Sequence, residues 1–522
     1  MVFMKNRFSH NEKLTFKKNI GDKYFYECDQ ADFELICHDI MHEFPYVWLL
    51  DIEFSSDWVG TYFFIDQEKA FSFSVKTNFT QGEMIKSISH IWKNANVLEQ
   101  EIYDLYGVIF SGNLKRIYFE ENSGFPLAKN KTKEILFKKY QAKNKERLFL
   151  NNPIIKNTFN LLFEAEHNLV TDCDVYRGKF HIGFEEVLRH KSIKECFYLF
   201  ESYLPLQSVA NTFLLSNAIE EYHQINIPDR AKAIRMILLE LNRIMDHYNY
   251  LINLSFEFEI MNMHTQVVIG HKKIQAIQLS FTGNEFSNGV IRPGGVIKDT
   301  SQIWLSRVIE EINWLESSLV NIYKNILLKS NTKEMLAFPI MTKKMASDYC
   351  LSGPFARAAG LNIDLRKSTP IYFYNEIEFE VPIGVKGSAF DAVLVFIEEI
   401  FQSFKIIVQL LDNLPSGRYL NPEFSSFRSL KQNEQLNESE YMNSVKNEFD
   451  IHELYGNTFI EGPRGITGLS VERTNKINQS FKIYSPHRLL LPLFKMQSIG
   501  KEVEMILPLW TSLDISMKEV EK

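Results

Sequence analysis

A change in hydrophobic periodicity near residue 150 constrains the fold of this 522-residue chain more than any other sequence feature. Residues 22–80 contain short apolar or alternating runs, which are typical of strands, and apolar spacing predicts a helix at 81–93. Later in the sequence, apolar residues recur at helical spacing through 230–252, 304–327 and 391–414. The pattern predicts an α+β protein, with a small N-terminal α/β sheet domain followed by a mainly helical domain with short C-terminal strands.

The segments between these patterns predict where the domains begin and end. Residues 128–150 are rich in lysine, and we expect them to form a basic linker between domains at 1–127 and 151–522. Residues 424–452 are polar and lack helical spacing, which favours an insertion within the second domain.

Charge, cysteine content and short motifs exclude several classes of protein. The 58 lysines and arginines against 65 aspartates and glutamates argue against nucleic acid as a partner, because phosphate binding needs clustered positive charge. The five scattered cysteines favour reduced thiols. The sequence contains neither a dinucleotide-binding glycine motif nor a P-loop. Its longest uncharged run, 202–219, is too polar to span a membrane, so we expect a soluble or peripheral protein.

Two histidines, His38 and His42, lie one helical turn apart in a predicted helix at 31–43. Such a pair could contact one metal ion, but the sequence shows no third ligand nearby. We therefore expect the pair to be a surface feature.

The segment 99–110, with the sequence EQEIYDLYGVIF, is specific enough to indicate a family. It resembles the signature of the 30-kDa-type subunit of respiratory complex I, the proton-pumping NADH:quinone oxidoreductase. The related protein of membrane-bound, energy-converting NiFe hydrogenases also carries this signature. Carboxylates and a phenol at a helix end are suited to docking neighbouring subunits, so the docking candidates are Glu99, Glu101, Tyr103 and Asp104.

The remainder of the sequence resembles the 49-kDa-type subunit of the same complex, which is similar to the large subunit of those hydrogenases. The resemblance implies that the two subunits are fused into one polypeptide, whose second domain has the helical fold of a NiFe-hydrogenase large subunit. The matching motifs lie, in sequence order, at 178–185, 227–231, 291–296, 352–354, 357–360, 364–367, 463–465 and 512–522.

Ligand chemistry argues against an active NiFe hydrogenase within this resemblance. A nickel–iron centre needs four thiolates, which hydrogenases supply as two cysteine pairs. The positions in this protein that match those pairs are Leu204, Gln207, Ser516 and Glu519. None of the four carries sulfur, so we expect no nickel–iron centre, and the sequence assigns no metal site.

The resemblance also marks candidate residues for quinone reduction, although several differ from the family. Lys156 stands where the family has a histidine that meets the quinone head, and Glu257 keeps a carboxylate where the family has an aspartate. Glu285 and Ser287 replace an arginine and a histidine that face the last iron–sulfur cluster. The candidates for the acceptor cavity are Lys156, His181, His247 and Glu257, and those facing the cluster are Ser287 and Arg292.

Two functions follow from the resemblance. The first is a peripheral-arm subunit that transfers electrons from a neighbouring iron–sulfur subunit to a quinone or another acceptor, in a reaction that drives ion translocation. The alternative is a redox-inactive structural or coupling subunit of such a complex, which the substituted site residues favour. In both, the iron–sulfur cluster and NAD are expected on partner subunits, the membrane partners resemble antiporters, and the protein lies on the cytoplasmic side of the inner membrane.

Overall fold

The structure of the protein is a computed structural model. The candidate residues Lys156, Leu204, Glu285 and Ser287 lie outside the described residues, as does nearly all of the predicted insertion at 424–452. The described residues are 13–20, 23–67, 71–112, 115–128, 134, 146–151, 158–175, 181–203, 207–283, 289–328, 330–422, 451, 453–475 and 477–521.

The N-terminal domain is a five-stranded sheet covered by a helix. The strands run in the order β1-β2-β5-β4-β3; β2 and β5 are parallel, and the other neighbours are antiparallel. Helix α1 buries Phe33, Ile36, Cys37 and Ile40, whose helical spacing places them on one face. The elements are β1 (Leu14–Ile20), β2 (Lys23–Asp29), α1 (Phe33–Glu43), β3 (Val47–Phe54), β4 (Val59–Asp66), β5 (Phe71–Asn78) and α2 (Ala95–Tyr106).

The helix predicted at 81–93 is wrong. The backbone there follows turns, Gly82 has a φ of +84°, and Ile85 forms an isolated bridge with Phe110. Ile85, Ile88 and Trp92 are nevertheless buried in the core of this domain. An irregular segment can therefore bury side chains at helical spacing without forming a helix.

The second domain begins with a small antiparallel sheet. Its strands are β6 (Glu146–Asn151), β7 (Thr158–Glu166) and β8 (Leu169–Val175), in that order. Residues 146–150, which the lysine-rich composition places in the linker, form most of β6 instead.

A helical core follows, and the three long helices predicted from apolar spacing are present. Helix α6 is central and packs against α7 and α13, and its buried residues cover almost its whole surface. Helix α13 starts with a capping box between Ser388 and Asp391, which pairs two backbone amides at the helix start. The elements are α3 (Phe184–Arg189), α4 (Ile193–Tyr203), α5 (Ser208–His223), α6 (Asp229–Glu257), α7 (Met261–Thr282), β9 (Ile291–Arg292), β10 (Gly295–Val296), α8 (Gln302–Leu328), α9 (Ser330–Met335), α10 (Lys343–Asp348), α11 (Gly353–Ala358), α12 (Leu365–Ser368) and α13 (Ala389–Asp412).

The C-terminal part combines a three-stranded antiparallel sheet with three helices, so the predicted strands are present but helices follow them. The turn between β11 and β12 contacts the start of α11. Gly353 has a φ of +80° there, and a Cβ at this position would lie 2.2 Å from the carbonyl oxygen of Arg464. Glycine is therefore required where these two motifs meet. The elements are β11 (Leu454–Gly462), β12 (Gly465–Thr474), β13 (Ile477–Tyr484), α14 (His487–Ser498), α15 (Ile506–Leu513) and α16 (Met517–Val520).

The C-terminal sheet packs against the N-terminal sheet. The rings of Phe25 and Tyr455 lie 4.8 Å apart, and those of Phe63 and Tyr484 lie 5.3 Å apart, both edge to face. The two domains thus share an aromatic contact. Within the ranges that the structure covers, no helix has the length and apolar content needed to cross a bilayer.

Candidate functional site

Two positions that match nickel ligands meet in the fold. Gln207, just before α5, donates a hydrogen bond from Nε2 to Oε1 of Glu519 in α16, at 2.9 Å and across 312 residues of sequence. Both side chains are buried. Ser516, the third position, precedes α16 and lies beside them. The fold therefore brings two of the predicted nickel-ligand positions into contact, and both carry polar side chains.

A buried histidine that the motifs did not indicate completes this cluster. Nδ1 of His487 accepts a hydrogen bond from the backbone N–H of Ser516 at 3.1 Å, and Nε2 lies 3.5 Å from Oε1 of Glu519. Burial lowers the pKa of His487, although Glu519 opposes this shift. The hydroxyl of Ser485 donates to the other carboxylate oxygen of Glu519. We call Gln207, Ser485, His487, Ser516 and Glu519 the polar site.

The donor atoms of the polar site do not fit a nickel–iron centre. Amide, hydroxyl and carboxylate groups are hard ligands, whereas nickel with its iron partner requires soft thiolates. The Glu519 carboxylate is also already engaged by Gln207 and Ser485. The polar site is therefore suited to hydrogen bonding and not to holding nickel and iron.

An arginine connects the polar site to the central helix. Nε of Arg464 lies 2.5 Å from the carboxylate of Asp246 in α6, and its Nη2 lies 2.5 Å from that of Asp514, two residues before Ser516. Burial of Asp246 disfavours its charge, but Arg464 and His247 together outweigh burial and lower the pKa of Asp246. The segment that carries Ser516 and Glu519 is thus tied to α6 by charge.

A second group of buried charges extends from the neighbouring residue on α6. Nε2 of His247 lies 2.9 Å from Glu399 of α13, and Glu399 accepts from Nε of Arg357 at 2.7 Å. Arg357 also donates to Glu461 at 2.8 Å and lies 3.6 Å from Asp364. Burial opposes the charge on Glu399, but Arg357 and His247 lower its pKa well below the usual range. His247, an acceptor-cavity candidate, therefore lies inside the helical core.

The same group of charges continues toward the start of α6. Glu240 is fully buried and accepts hydrogen bonds from Tyr374 and Ser403, each at 2.6 Å. Arg243 and Arg366 each lie 3.3 Å from its carboxylate. Burial opposes ionisation, but the two arginines and the hydrogen bonds from Ser403 and Tyr374 together lower the pKa of Glu240. We call the buried charges on and around α6 the core network: Glu240, Arg243, Asp246, His247, Arg357, Asp364, Arg366, Glu399, Glu461 and Arg464.

Two further candidates lie at opposite ends of the helical core. Arg292 is buried, lies 2.5 Å from Glu201 of α4, and covers the ring of Phe197 at 5.0 Å. Its guanidinium is therefore engaged internally, which argues against direct contact with a cluster in another subunit. Glu257, the last residue of α6, is half-buried, and desolvation raises its pKa.

The predicted docking segment points mainly into its own domain. Glu99 is fully buried and accepts a hydrogen bond from the Ser87 hydroxyl at 2.6 Å. Asp104 is fully buried beside Arg116 at 2.9 Å, and the ring of Tyr103 lies 5.5 Å from the same guanidinium. Glu99 and Asp104 therefore stabilise their own domain and are not available to another subunit, because their carboxylates are buried against Ser87 and Arg116.

Glu101 does dock, but against the second domain of the same polypeptide. Arg488 of α14 reaches both Glu101 and Asp51, the latter at 2.7 Å. Lys482 of β13 lies 3.6 Å from Glu101 and 3.4 Å from Glu185. These charges join the two domains, and we call them, together with Glu53, the interdomain cluster.

Glu53, in β3, is the acid of the interdomain cluster whose pKa is shifted. Its carboxylate faces β13 and is withdrawn from water, which raises its pKa to about 7. A hydrogen bond from Ser480 and the charge of Lys482 oppose the shift, whereas Glu185 adds to it. An acid with this pKa can exchange a proton near neutral pH.

A cleft between the domains contains the interdomain cluster and His181. His181, an acceptor-cavity candidate, stacks on Tyr118 of the first domain with ring centroids 6.2 Å apart. Arg488 and Val520 also line the cleft, and they are the sequence neighbours of His487 and Glu519, so the cleft adjoins the polar site. The other lining residues include Tyr106, Pro126, Leu127, Glu186, Arg189 and Phe481.

Comparison with known proteins matches two families to this sequence, in the order that the motifs indicated. Residues 261–522 match the respiratory-chain NADH dehydrogenase 49 Kd subunit, and residues 27–134 match the 30 Kd subunit of that enzyme. The protein belongs to the 49 Kd subunit family of respiratory-chain NADH dehydrogenase. It carries a 30 Kd subunit domain in front, which confirms the predicted fusion of two complex I subunits.

Curated relatives have the same fused form. The protein is 26% identical over 528 residues to the C/D subunit of NADH-quinone oxidoreductase from Acidiphilium cryptum, a match that spans 90% of this protein and 86% of the relative. It is 27% identical over 549 residues to the protein of that name from Psychrobacter sp., a match that spans 92% and 89%. These findings support a peripheral-arm subunit of an electron-transporting oxidoreductase and do not favour the redox-inactive alternative.

Proposed function

We propose that this subunit forms one wall of a quinone-reducing site, at the polar site and the cleft beside it. The observation that carries the proposal is the hydrogen bond between Gln207 and Glu519, with His487 against the same carboxylate. These contacts support the proposal, because they gather polar side chains at positions that the sequence resemblance matches to the metal ligands of a hydrogenase. The relatives are named for quinone reduction, which fits an acceptor that takes up protons.

The chemistry of the acceptor explains why polar groups suit this position. A quinone accepts two electrons and two protons to become a quinol, and its carbonyl oxygens accept hydrogen bonds. In this proposal the electrons come from an iron–sulfur cluster in a neighbouring small subunit, because this protein offers no four-cysteine set. In this proposal Glu519 is the general acid that faces the quinone, while Gln207 and His487 position its carboxyl group.

The core network gives the reaction a route to the rest of the molecule. Arg464 joins Asp514, near the polar site, to Asp246, and the adjacent His247 continues to Glu399 on α13. Charges in a low-dielectric interior interact strongly, so a change of protonation at the polar site alters the electrostatic interactions among the charged residues along α6. We propose that this shift is transmitted to antiporter-like membrane subunits and so couples quinone reduction to ion translocation.

The proposed assembly sets the position of the protein in the cell. The subunit sits in the peripheral arm on the cytoplasmic side of the inner membrane, held there by an iron–sulfur subunit and by membrane partners. NAD binds on another subunit of the complex, consistent with the absence of a dinucleotide-binding motif from this sequence.

Purification of the intact membrane complex tests this function. We expect NADH-dependent reduction of a short-chain quinone, an EPR signal from the neighbouring cluster, and no stoichiometric nickel. A stably assembled complex with a silent EPR spectrum and no quinone reduction would overturn the electron-transfer role. Stoichiometric nickel would contradict the ligand argument at Gln207 and Glu519.

A further inference from the structure

The surface of the N-terminal domain brings together three metal-ligating side chains that lie outside the polar site. Glu34 and His38 are one turn apart on α1, and His90 comes from the irregular segment before α2. One ligand atom from each of the three lies within 4.8 Å of the other two. Nε2 of His38 and Nε2 of His90 are 3.3 Å apart, and Nε2 of His90 is 4.0 Å from Oε1 of Glu34.

A backbone carbonyl orients the His90 ring for ligation. Nδ1 of His90 lies 3.1 Å from the carbonyl oxygen of Ser87, so Nδ1–H donates to that oxygen and leaves the lone pair of Nε2 facing His38 and Glu34. Metal-ligating histidines commonly have their second ring nitrogen fixed in this way. The buried Glu99 holds this segment in place, because it accepts from the Ser87 hydroxyl at 2.6 Å and from the Ile88 amide at 2.9 Å.

The third ligand is an ionised carboxylate with one oxygen turned toward the histidines. Oε2 of Glu34 accepts a hydrogen bond from Lys86 at 2.6 Å, and this bond lowers the pKa of Glu34. Oε1 is the oxygen nearer to His90. Lys86 therefore positions the carboxylate, although its positive charge weakens attraction for a cation.

We propose that Glu34, His38 and His90 bind one divalent transition-metal ion of the zinc class, with water completing a tetrahedral set. Two imidazoles and a carboxylate match the ligands that zinc takes in proteins. The site is distinct from the nickel position, because it lies on the N-terminal domain and uses none of the residues of the polar site. A metal ion bound at this site would connect the turn segment at 79–94 to α1. Without metal, the two rings share only a hydrogen bond.

Zinc titration of the purified full-length protein, prepared without a polyhistidine tag, tests the proposal. Isothermal titration should give one equivalent of Zn²⁺, and His38→Ala and His90→Ala should each weaken binding about tenfold or more. Glu34→Gln should weaken binding less, because both histidines remain. Zinc should also raise the melting temperature of the wild type but not that of His90→Ala, since only a bound ligand stabilises the folded state.

His42→Ala is the matched control, because His42 is exposed one turn further along α1 and is not part of the group. It should bind zinc as the wild type does. Circular dichroism of each variant checks that the domain is folded, and the visible spectrum of bound Co²⁺ reports the coordination geometry. The proposal is overturned by any of three results: wild-type affinity in His38→Ala and His90→Ala, equal loss in His42→Ala, or no stoichiometric zinc in the wild type.

Discussion

The core network and the interdomain cluster both bury charges, but the pKa values of most core acids shift in the opposite direction from that of Glu53. In the core network, Glu240, Asp246 and Glu399 lie against arginines that lower their pKa values. In the interdomain cluster, Glu53 has a pKa raised to about 7, because removal from water outweighs the nearby Lys482. Glu240, Asp246 and Glu399 therefore stay ionised at neutral pH, whereas Glu53 can change its charge. Glu461 is the exception within the core network, because burial raises its pKa.

This difference indicates that the two groups of buried charges have different roles in one polypeptide. The ion pairs of the core network hold α6, α11 and α13 together, and Glu399 within them stays ionised at neutral pH. The interdomain cluster joins the two domains and responds to pH. The predictions below separate these two behaviours, beginning with the largest expected effect.

Replacement of Arg357 should break the core network most severely. In Arg357→Met, the fully buried Glu399 and Glu461 lose their shared cation, and we expect the free energy of unfolding to fall by about 3–5 kcal/mol. Urea denaturation of the full-length protein measures this loss. The control is Arg307→Met on the exposed face of α8, which should change stability by less than about 0.5 kcal/mol. Similar values for both variants would show that the core ion pairs carry little energy.

Replacement of Glu53 should make the interdomain cluster insensitive to pH. Because the folded-state pKa of Glu53 is about 7 and its ordinary value is 4.5, the wild type loses stability as pH rises from about 4.5 through 7. Glu53→Gln should remove this loss and be more stable than the wild type by about 1–3 kcal/mol at pH 8, yet similar at pH 4. Denaturation across this pH range is the measurement, with exposed Glu83→Gln as the control. Parallel curves for wild type and Glu53→Gln would contradict the assignment.

Loss of one hydrogen bond in the core network should have a smaller effect than loss of the Arg357 cation. Tyr374→Phe removes only the phenol that donates to Glu240, which keeps Arg243, Arg366 and Ser403 as partners. We expect a loss of about 2 kcal/mol that does not vary between pH 6 and 8, since Glu240 stays ionised. A loss that grew with pH would mean that the core network titrates like the interdomain cluster.

The sequence predicted the long helices well, because their apolar residues repeat over many turns and leave no other regular structure. It failed at 81–93, where turns bury Ile85, Ile88 and Trp92 at the same spacing that a helix would use. The sequence also named Glu99 and Asp104 as candidates for subunit docking, because charge alone does not show that an acid has buried partners.

The candidate site was predictable only in part. Alignment with cysteine pairs located Gln207 and Glu519, which the fold brings into contact. No motif surrounds His487. Its contact with Glu519 depends on the packing of α14 against α16, which is tertiary structure that a local sequence pattern does not show. Glu34, which joins His38 and His90, could be found only once the turn segment was placed beside α1.

The exchange of Glu519 for glutamine tests the central claim most directly. In the purified complex, Glu519→Gln should lower the rate of quinone reduction about a hundredfold, while assembly and the EPR signal of the neighbouring cluster stay unchanged. Glu504→Gln, at an exposed glutamate just before α15, should keep the full rate. An assembled Glu519→Gln complex that reduces quinone at the wild-type rate, with the same pH profile, would contradict the assignment of quinone chemistry to the polar site.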